Sequence, residues 1–155
     1  MSEDWRFVVD DLGHADVIAL VELHLREAHL NSPPGRVFAL DLSGLRDPTV
    51  TLWSAWDGAA LLGIGALKRL DDRHGELKSM RTHPAQLRRG VAARMLDHLV
   101  GQARARGYRR VSLETGNSAA FLPARTLYER AGFVECGPFA TYSDTSFSRY
   151  FTRLI

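Results

Sequence analysis

The sequence predicts a single α/β domain, residues 1–155, built on a mixed and mostly antiparallel sheet flanked by helices. Three observations carry this. The chain has 155 residues, 45% apolar and 25% charged, enough for one domain with its own core. Its first half holds β-rich runs joined by tight turns. Its second half alternates strand, helix, strand and helix, which implies a crossover and a locally parallel strand pair.

Residues 5–9, WRFVV, form a short apolar run and a first strand. Residues 15–30 place Ile18, Val21, Leu25 and Ala28 at helical spacing, and Asn31-Ser32-Pro33-Pro34-Gly35 stops that helix. Residues 37–45 fit either a second short helix or a crossing loop. Residues 49–56 are rich in β-formers; Asp57-Gly58 turns the chain, and residues 60–70 return as the second arm of a hairpin. Gly63 and Gly65 in that arm are no dinucleotide fingerprint, because Lys68 stands where the third glycine belongs and no helix follows. Residues 71–75 turn into a strand at 76–82, and His83-Pro84 breaks it, since a residue before proline is held out of the helical region. A long helix then carries Val91, Met95, Leu96, Leu99, Val100 and Ala103 on one face and ends at Gly107. Residues 108–115 are a strand with Val111 and Leu113 facing the core. Residues 122–131 are a short helix closed by Gly132. Residues 133–136 start a strand that Gly137-Pro138 breaks, and residues 147–154 are the last strand.

The longest apolar-or-glycine run, residues 59–67, is far short of the roughly 20 residues of a membrane helix. The N-terminus, MSEDWRF, is acidic and has no hydrophobic signal core. The single Cys136 has no internal disulfide partner, and a reducing cytoplasm is the expected setting. His24 and His29 are five residues apart, about 140° around a helix, where a metal pair wants i and i+4; no metal site is expected.

The net charge is +2 but unevenly spread. Residues 1–76 carry 7 Lys/Arg against 13 Asp/Glu, and residues 77–155 carry 13 against 5. Such a basic half suits a polyanion, either a nucleotide-bearing cofactor or nucleic acid. Nucleic acid is not expected, because no basic stripe interleaved with aromatics and no nucleic-acid motif is present. The helix that opens on Arg88-Arg89-Gly90-Val91-Ala92 offers a more specific site. First-turn N–H groups have no helical acceptors, the helix dipole adds positive charge, and small side chains let a phosphate approach.

This stretch resembles the central motif of the GNAT acyltransferases, whose acetyl-CoA pyrophosphate sits on an Arg/Gln-x-x-Gly-x-Gly/Ala loop. Gly90, Val91 and Ala92 fill the last three places. Leu87 stands in the first, with Gln86 beside it, a departure from the family. Ala124-Arg125-Thr126-Leu127-Tyr128-Glu129-Arg130-Ala131-Gly132-Phe133 looks like the family's A-x-x-L-Y-x-x-x-G-F signature. The runs HGELKSMRT, LETG and F-x-P-A-R-x-L-Y-E-R-x-G-F look like the small bacterial YsnE-like branch.

The resemblance implies the GNAT fold, with two parallel central strands, 76–82 and 111–115, splayed apart to admit the acyl-pantetheine arm as an added strand. It implies acetyl-CoA as co-substrate, bound by Met80, Arg81, Thr82, Leu87, Arg88, Arg89, Gly90, Val91, Ala92, Arg125 and Tyr128. The partner is an amine acceptor on a small molecule or peptide, with a homodimer as a possible assembly. Acetyl transfer needs a neutral amine, a donor for the oxyanion and a proton for the leaving thiolate. Tyr128 matches the family's general acid and Glu76 is the candidate base, directly or through a water chain. A backbone N–H at Met80 or Arg81 would hold the oxyanion. No G-x-S-x-G motif appears and Cys136 has no sequence-evident His partner, in keeping with direct transfer. The acceptor is expected against Ser32, the hairpin near Trp53, and the loop 139–147 with Tyr142 and Asp144. The alternative is a GNAT-like module that binds acyl-CoA as a sensor or interaction subunit without turnover.

Overall fold

The computed structural model describes residues 4–155. Its centre is a seven-stranded sheet of β1 (Arg6–Val9), β2 (Val50–Asp57), β3 (Ala60–Asp71), β4 (His74–Thr82), β5 (Arg110–Gly116), β6 (Val134–Cys136) and β7 (Ser148–Leu154), in the order β1-β2-β3-β4-β5-β7-β6. Every pairing is antiparallel except β4 with β5. Four helices complete the fold: α1 (Ala15–Leu30), α2 (Leu42–Leu45), α3 (Val91–Ala105) and α4 (Leu122–Arg130).

Local chemistry explains the helix ends. The His14 side chain accepts from the Asp16 N–H at the start of α1, and the Asp41 carboxylate accepts from the Gly44 N–H at the start of α2, satisfying amides that would otherwise be orphaned. Residues 37–45 thus resolve into an extended passage and then a single capped turn. Gly107, at φ 84°, follows α3, in the left-handed conformation that glycine adopts most readily.

The sheet has an apolar layer on each face. On one, α3 lays Val91, Met95, Leu96, Leu99, Val100 and Ala103 against Leu62, Leu67, Leu77, Val111 and Leu113, with Tyr128 and Phe133 closing the cluster. On the other, Val17, Leu20 and Val21 of α1 pack with Leu45 of α2 against Leu52, Ile64 and Ala66. Gly63 and Gly65 make the first layer possible. A Cβ on Gly63 would lie 2.7 Å from the Arg81 carbonyl oxygen, and one on Gly65 would lie 2.8 Å from Met95 Cγ and 2.9 Å from Leu99 Cδ1. The two glycines are therefore a seat for α3 and for the neighbouring strand.

Two departures from regular sheet shape the site. The β4–β5 pairing covers only His74↔Arg110, Gly75↔Val111 and Glu76↔Ser112; beyond these the parallel strands diverge. On the opposite edge of β4 the register slips: Lys78 pairs with Ala66 and Arg81 with Ile64, so Ser79 and Met80 together oppose Gly65. This is a β-bulge, and it holds Ser79 at φ 54°. A bulge bends its strand and re-aims its groups, and a non-glycine residue in this conformation is strained.

Candidate active site

The divergence of β4 and β5 opens a cleft in two parts that meet at Met80, Ala124 and Tyr128. One part, about 640 Å³, runs from Met80, Arg81 and Thr82 to Leu87, Arg88, Gly90, Val91 and Ala92 at the start of α3. The other, about 140 Å³, is walled by β4 from Glu76 to Met80, β5 from Leu113 to Gly116, α1, the passage after α1, and aromatic side chains.

The first part ends in an anion cradle. A one-turn 3-10 segment, Pro84–Gln86, precedes it. Arg88 (φ 65°) and Gly90 (φ 81°) are both left-handed, and α3 begins at Val91, three residues later than Arg88. Gly90 makes no side-chain cap. The first intrahelical bond into the cap runs from the Arg94 N–H to the Gly90 carbonyl; among the described residues the N–H groups of Val91, Ala92 and Ala93 have no acceptor. No atom outside its neighbours lies within 4 Å of where a Gly90 Cβ would be, so glycine is favoured there by backbone conformation and not by crowding. Uncapped amides at a positive helix end are the donor set a diphosphate needs.

Arg81 lines this part and pairs with Glu27 of α1. Two expected cofactor residues lie elsewhere. Arg89 turns to Asp57 at 3.0 Å and Gln86 at 2.5 Å and lies over the Trp5 ring, fastening the cradle to the β2–β3 turn. Arg125 donates to the carbonyls of Gly116 at 2.8 Å and Ser118 at 3.2 Å, holding the exit of β5. Both shape the site from outside it.

Tyr128, 8% exposed, stands where the two parts meet. Its ring packs edge-on to Phe133. Burial pushes its phenol up to about 12, so it holds its proton at neutral pH. Among the described residues its hydroxyl has no hydrogen-bond partner, which leaves the donor available to a ligand.

The second part carries buried charge. Glu76 is 2% exposed. Its Oε2 accepts from the Tyr142 hydroxyl at 2.5 Å and lies 3.3 Å from Lys78 Nζ, which also donates to the Tyr142 hydroxyl at 2.9 Å. Burial, followed by the adjacent Glu76 charge, pushes the Tyr142 phenol up. Tyr142 comes from the loop between β6 and β7 and meets Phe38 edge-on, so this network also docks the loop over the cleft. Glu114 of β5 lines the same space. Burial raises its carboxyl to about 7, with Ser148 and then Lys78 pulling down and Glu76 pushing up. His24 of α1 is held neutral: burial, then the Arg81 charge, lowers it to about 4.

Ser32 and Tyr142 line the second part of the cleft. Trp53 does not; it is 3% exposed on β2, edge-on to His98 of α3. The hairpin reading located its strand, but the sheet turns that face to α3, and the expectation of acceptor contact is corrected. Asp144 is exposed on the loop and lines neither part. Sequence reasoning passed over Glu114 and Arg36 and weighed His24 only as one half of a metal pair. Alternation offered one signal: with Val111 and Leu113 turned to α3, Ser112 and Glu114 must face the other side, where Glu76 lies.

A family model described as "Acetyltransferase (GNAT) family" matches residues 17–133. The chain belongs to the GNAT acetyltransferase family. It is 52% identical over 145 residues to "Uncharacterized N-acetyltransferase YsnE" of Bacillus subtilis (strain 168), covering 94% of this chain and 96% of that protein. It is also 52% identical over 141 residues to "Uncharacterized N-acetyltransferase YedL" of Escherichia coli (strain K12), covering 91% and 89%. Among solved structures, an acyl-CoA N-acyltransferase from Klebsiella pneumoniae superposes with a TM-score of 0.80 at 24% identity, covering 97% of each chain. That likeness is one of fold. As a GNAT acetyltransferase the chain has the mixed sheet with a parallel β4–β5 pair flanked by helices, and acetyl-CoA is the co-substrate that this family uses.

Proposed function

We propose that this GNAT enzyme transfers the acetyl group of acetyl-CoA directly to an amine in a ternary complex, with Glu114 as the base and Tyr128 as the donor to the leaving sulfur. The observation that carries the reading is the two-part cleft, with an uncapped helix terminus at one end, a near-neutral carboxylate at the other and Tyr128 at their junction. We place the chain in a YsnE-like branch, a reading supported by the 52% identities.

An ammonium cannot attack a thioester until it loses a proton, and its pKa is near 10.4. A carboxylate that titrates near 7 is well matched to receive that proton at neutral pH. Glu76, the candidate from sequence, has its Oε2 engaged by Lys78 and Tyr142. Its role is structural and electrostatic: it fixes Lys78 and the loop, and its charge adds a minor push to the burial that raises Glu114. The oxyanion meets a backbone N–H of the β4 bulge, at Met80 or Arg81, on the edge that β5 has left. Tyr128 stays protonated and donates to the departing sulfur. No covalent enzyme intermediate is needed, since amine and thioester sit in connected spaces.

The reading is tested by free-thiol release from acetyl-CoA across a panel of amines, with both substrates varied. Intersecting initial-rate lines are expected. Parallel lines, which mark a covalent acetyl-enzyme, or tight acetyl-CoA binding without turnover of any amine, would overturn it.

A further inference from the structure

We infer that the acceptor is a short amino acid, a primary amine that carries its own carboxylate, and that Arg36 binds that carboxylate. The inference rests on the acetyl-transfer reading above and names the substrate class of the same cleft. Three independent features converge on it.

The first is how Arg36 is held. Pro33-Pro34-Gly35-Arg36 forms a tight turn, closed by the Arg36 N–H donating to the Pro33 carbonyl at 3.1 Å with Gly35 at φ 78°. Proline second and a left-handed glycine third are the residues of a type II turn. A turn this constrained fixes the backbone of Arg36 beside the acceptor part of the cleft, which Arg36 lines.

The second is charge. Within that space Glu76 and Lys78 pair with each other. His24 is neutral, and Glu114 is the acceptor for the ammonium proton. Arg36 is left over, with no acidic partner among the described residues. A guanidinium offers a planar pair of donors that matches a carboxylate. A diamine would instead bring a second ammonium to Arg36.

The third is size and surface. The space is about 140 Å³, with Phe38, Phe121 and Phe147 among its walls, and a cavity of about 150 Å³ accepts benzene. That is room for a short aliphatic or single-ring skeleton between an amine and a carboxylate. It does not hold a folded polypeptide surface.

The transfer then balances. Glu114 takes one proton from the ammonium, the nitrogen bonds to the acetyl carbon, and the carbon–sulfur bond breaks. The sulfur takes a proton from the Tyr128 hydroxyl and leaves as the thiol. The second proton shed by nitrogen restores Tyr128, and Glu114 returns its proton to water.

The test is thiol release with matched acceptors: β-alanine against ethylamine, γ-aminobutyrate against propylamine, phenylalanine against phenethylamine, and putrescine as the dication. At least one amino acid is expected to exceed its decarboxylated partner tenfold or more in kcat/KM. Arg36→Ala should collapse that ratio toward one through KM, with KM for acetyl-CoA within twofold of the parent, and Arg36→Glu should turn preference toward putrescine. Arg36 is exposed, so both variants are expected to fold. Equal use of matched pairs, preference for neutral amines or putrescine by the parent, or an unchanged ratio in Arg36→Ala overturns the inference while leaving acetyl transfer standing. Failure of every acceptor while acetyl-CoA still binds overturns acetyl transfer and the inference with it.

Discussion

Glu114→Gln separates the base from every other carboxylate in the cleft. In the fold its carboxyl is raised from the ordinary 4.5 to about 7, chiefly by burial. A raised carboxyl holds its proton in the folded state after the unfolded chain has lost it. Stability contributed by Glu114 therefore falls as pH rises from about 4.5 to about 7, and the full penalty applies above that window. At about 1.36 kcal/mol per pKa unit, the penalty is on the order of 3–4 kcal/mol. Glutamine is a neutral mimic of the protonated acid and carries no such penalty. Urea unfolding of the variant should match the parent near pH 4.5 and show a gain of about 3–4 kcal/mol at pH 8. Activity should move the opposite way. The parent kcat/KM rises with pH through about 7, while Glu114→Gln loses that rise together with a factor on the order of 10² or more. Equal stability differences at both pH values, or a retained kinetic rise near pH 7, would refute both the burial argument and the base assignment.

Four further outcomes follow from the same geometry. Tyr128→Phe should bind acetyl-CoA as the parent does and lower kcat by roughly 10–100-fold, read by calorimetry and thiol release; unchanged turnover would remove Tyr128 from the reaction. Gly90→Val should raise KM for acetyl-CoA about tenfold or more, because φ 81° excludes a β-branched residue, and an unaltered KM would detach this turn from binding. Tyr142→Phe strips Glu76 of a buried hydrogen bond to its charge and should cost about 1–3 kcal/mol in unfolding experiments, with faster proteolysis of the loop; a neutral result would show that the loop is not docked through Glu76. Gly65→Ala drives a methyl into Met95 and Leu99 and should destabilise by about 1–3 kcal/mol, and a stabilised variant would mean that α3 does not sit as described.

Much of the fold was legible because its signals are local. The helical spacing of Ile18, Val21, Leu25 and Ala28 and the breaker after Leu30 located α1 at both ends, and Gly107 closed α3. The start of α3 was shifted because arginine is a good helix former, and only the tertiary frame forces Arg88 into the left-handed region. Gly90, Val91, Ala92 and Tyr128, which line the cleft, stood out by motif. The acceptor end did not, because its properties belong to no single segment. The carboxyl of Glu114 is raised chiefly because the fold buries it, with Glu76 adding a smaller push, and no single segment encodes that burial. Arg89 reads as a phosphate ligand in sequence and becomes a brace because Asp57 folds back across 32 residues. Trp53 was judged by its position in a hairpin, while the choice of face was made by the α3 layer.

The central claim is that the open amides at the start of α3 hold the diphosphate of the acyl donor. Its most direct measurement is a titration followed by backbone amide chemical shifts, with coenzyme A in one series and pantetheine, which lacks the diphosphate, in another. Coenzyme A should move Val91, Ala92 and Ala93 most strongly along with β4, while pantetheine moves β4 and leaves those three in place. Coenzyme A that binds without moving the three amides, or pantetheine that moves them equally, would contradict the account.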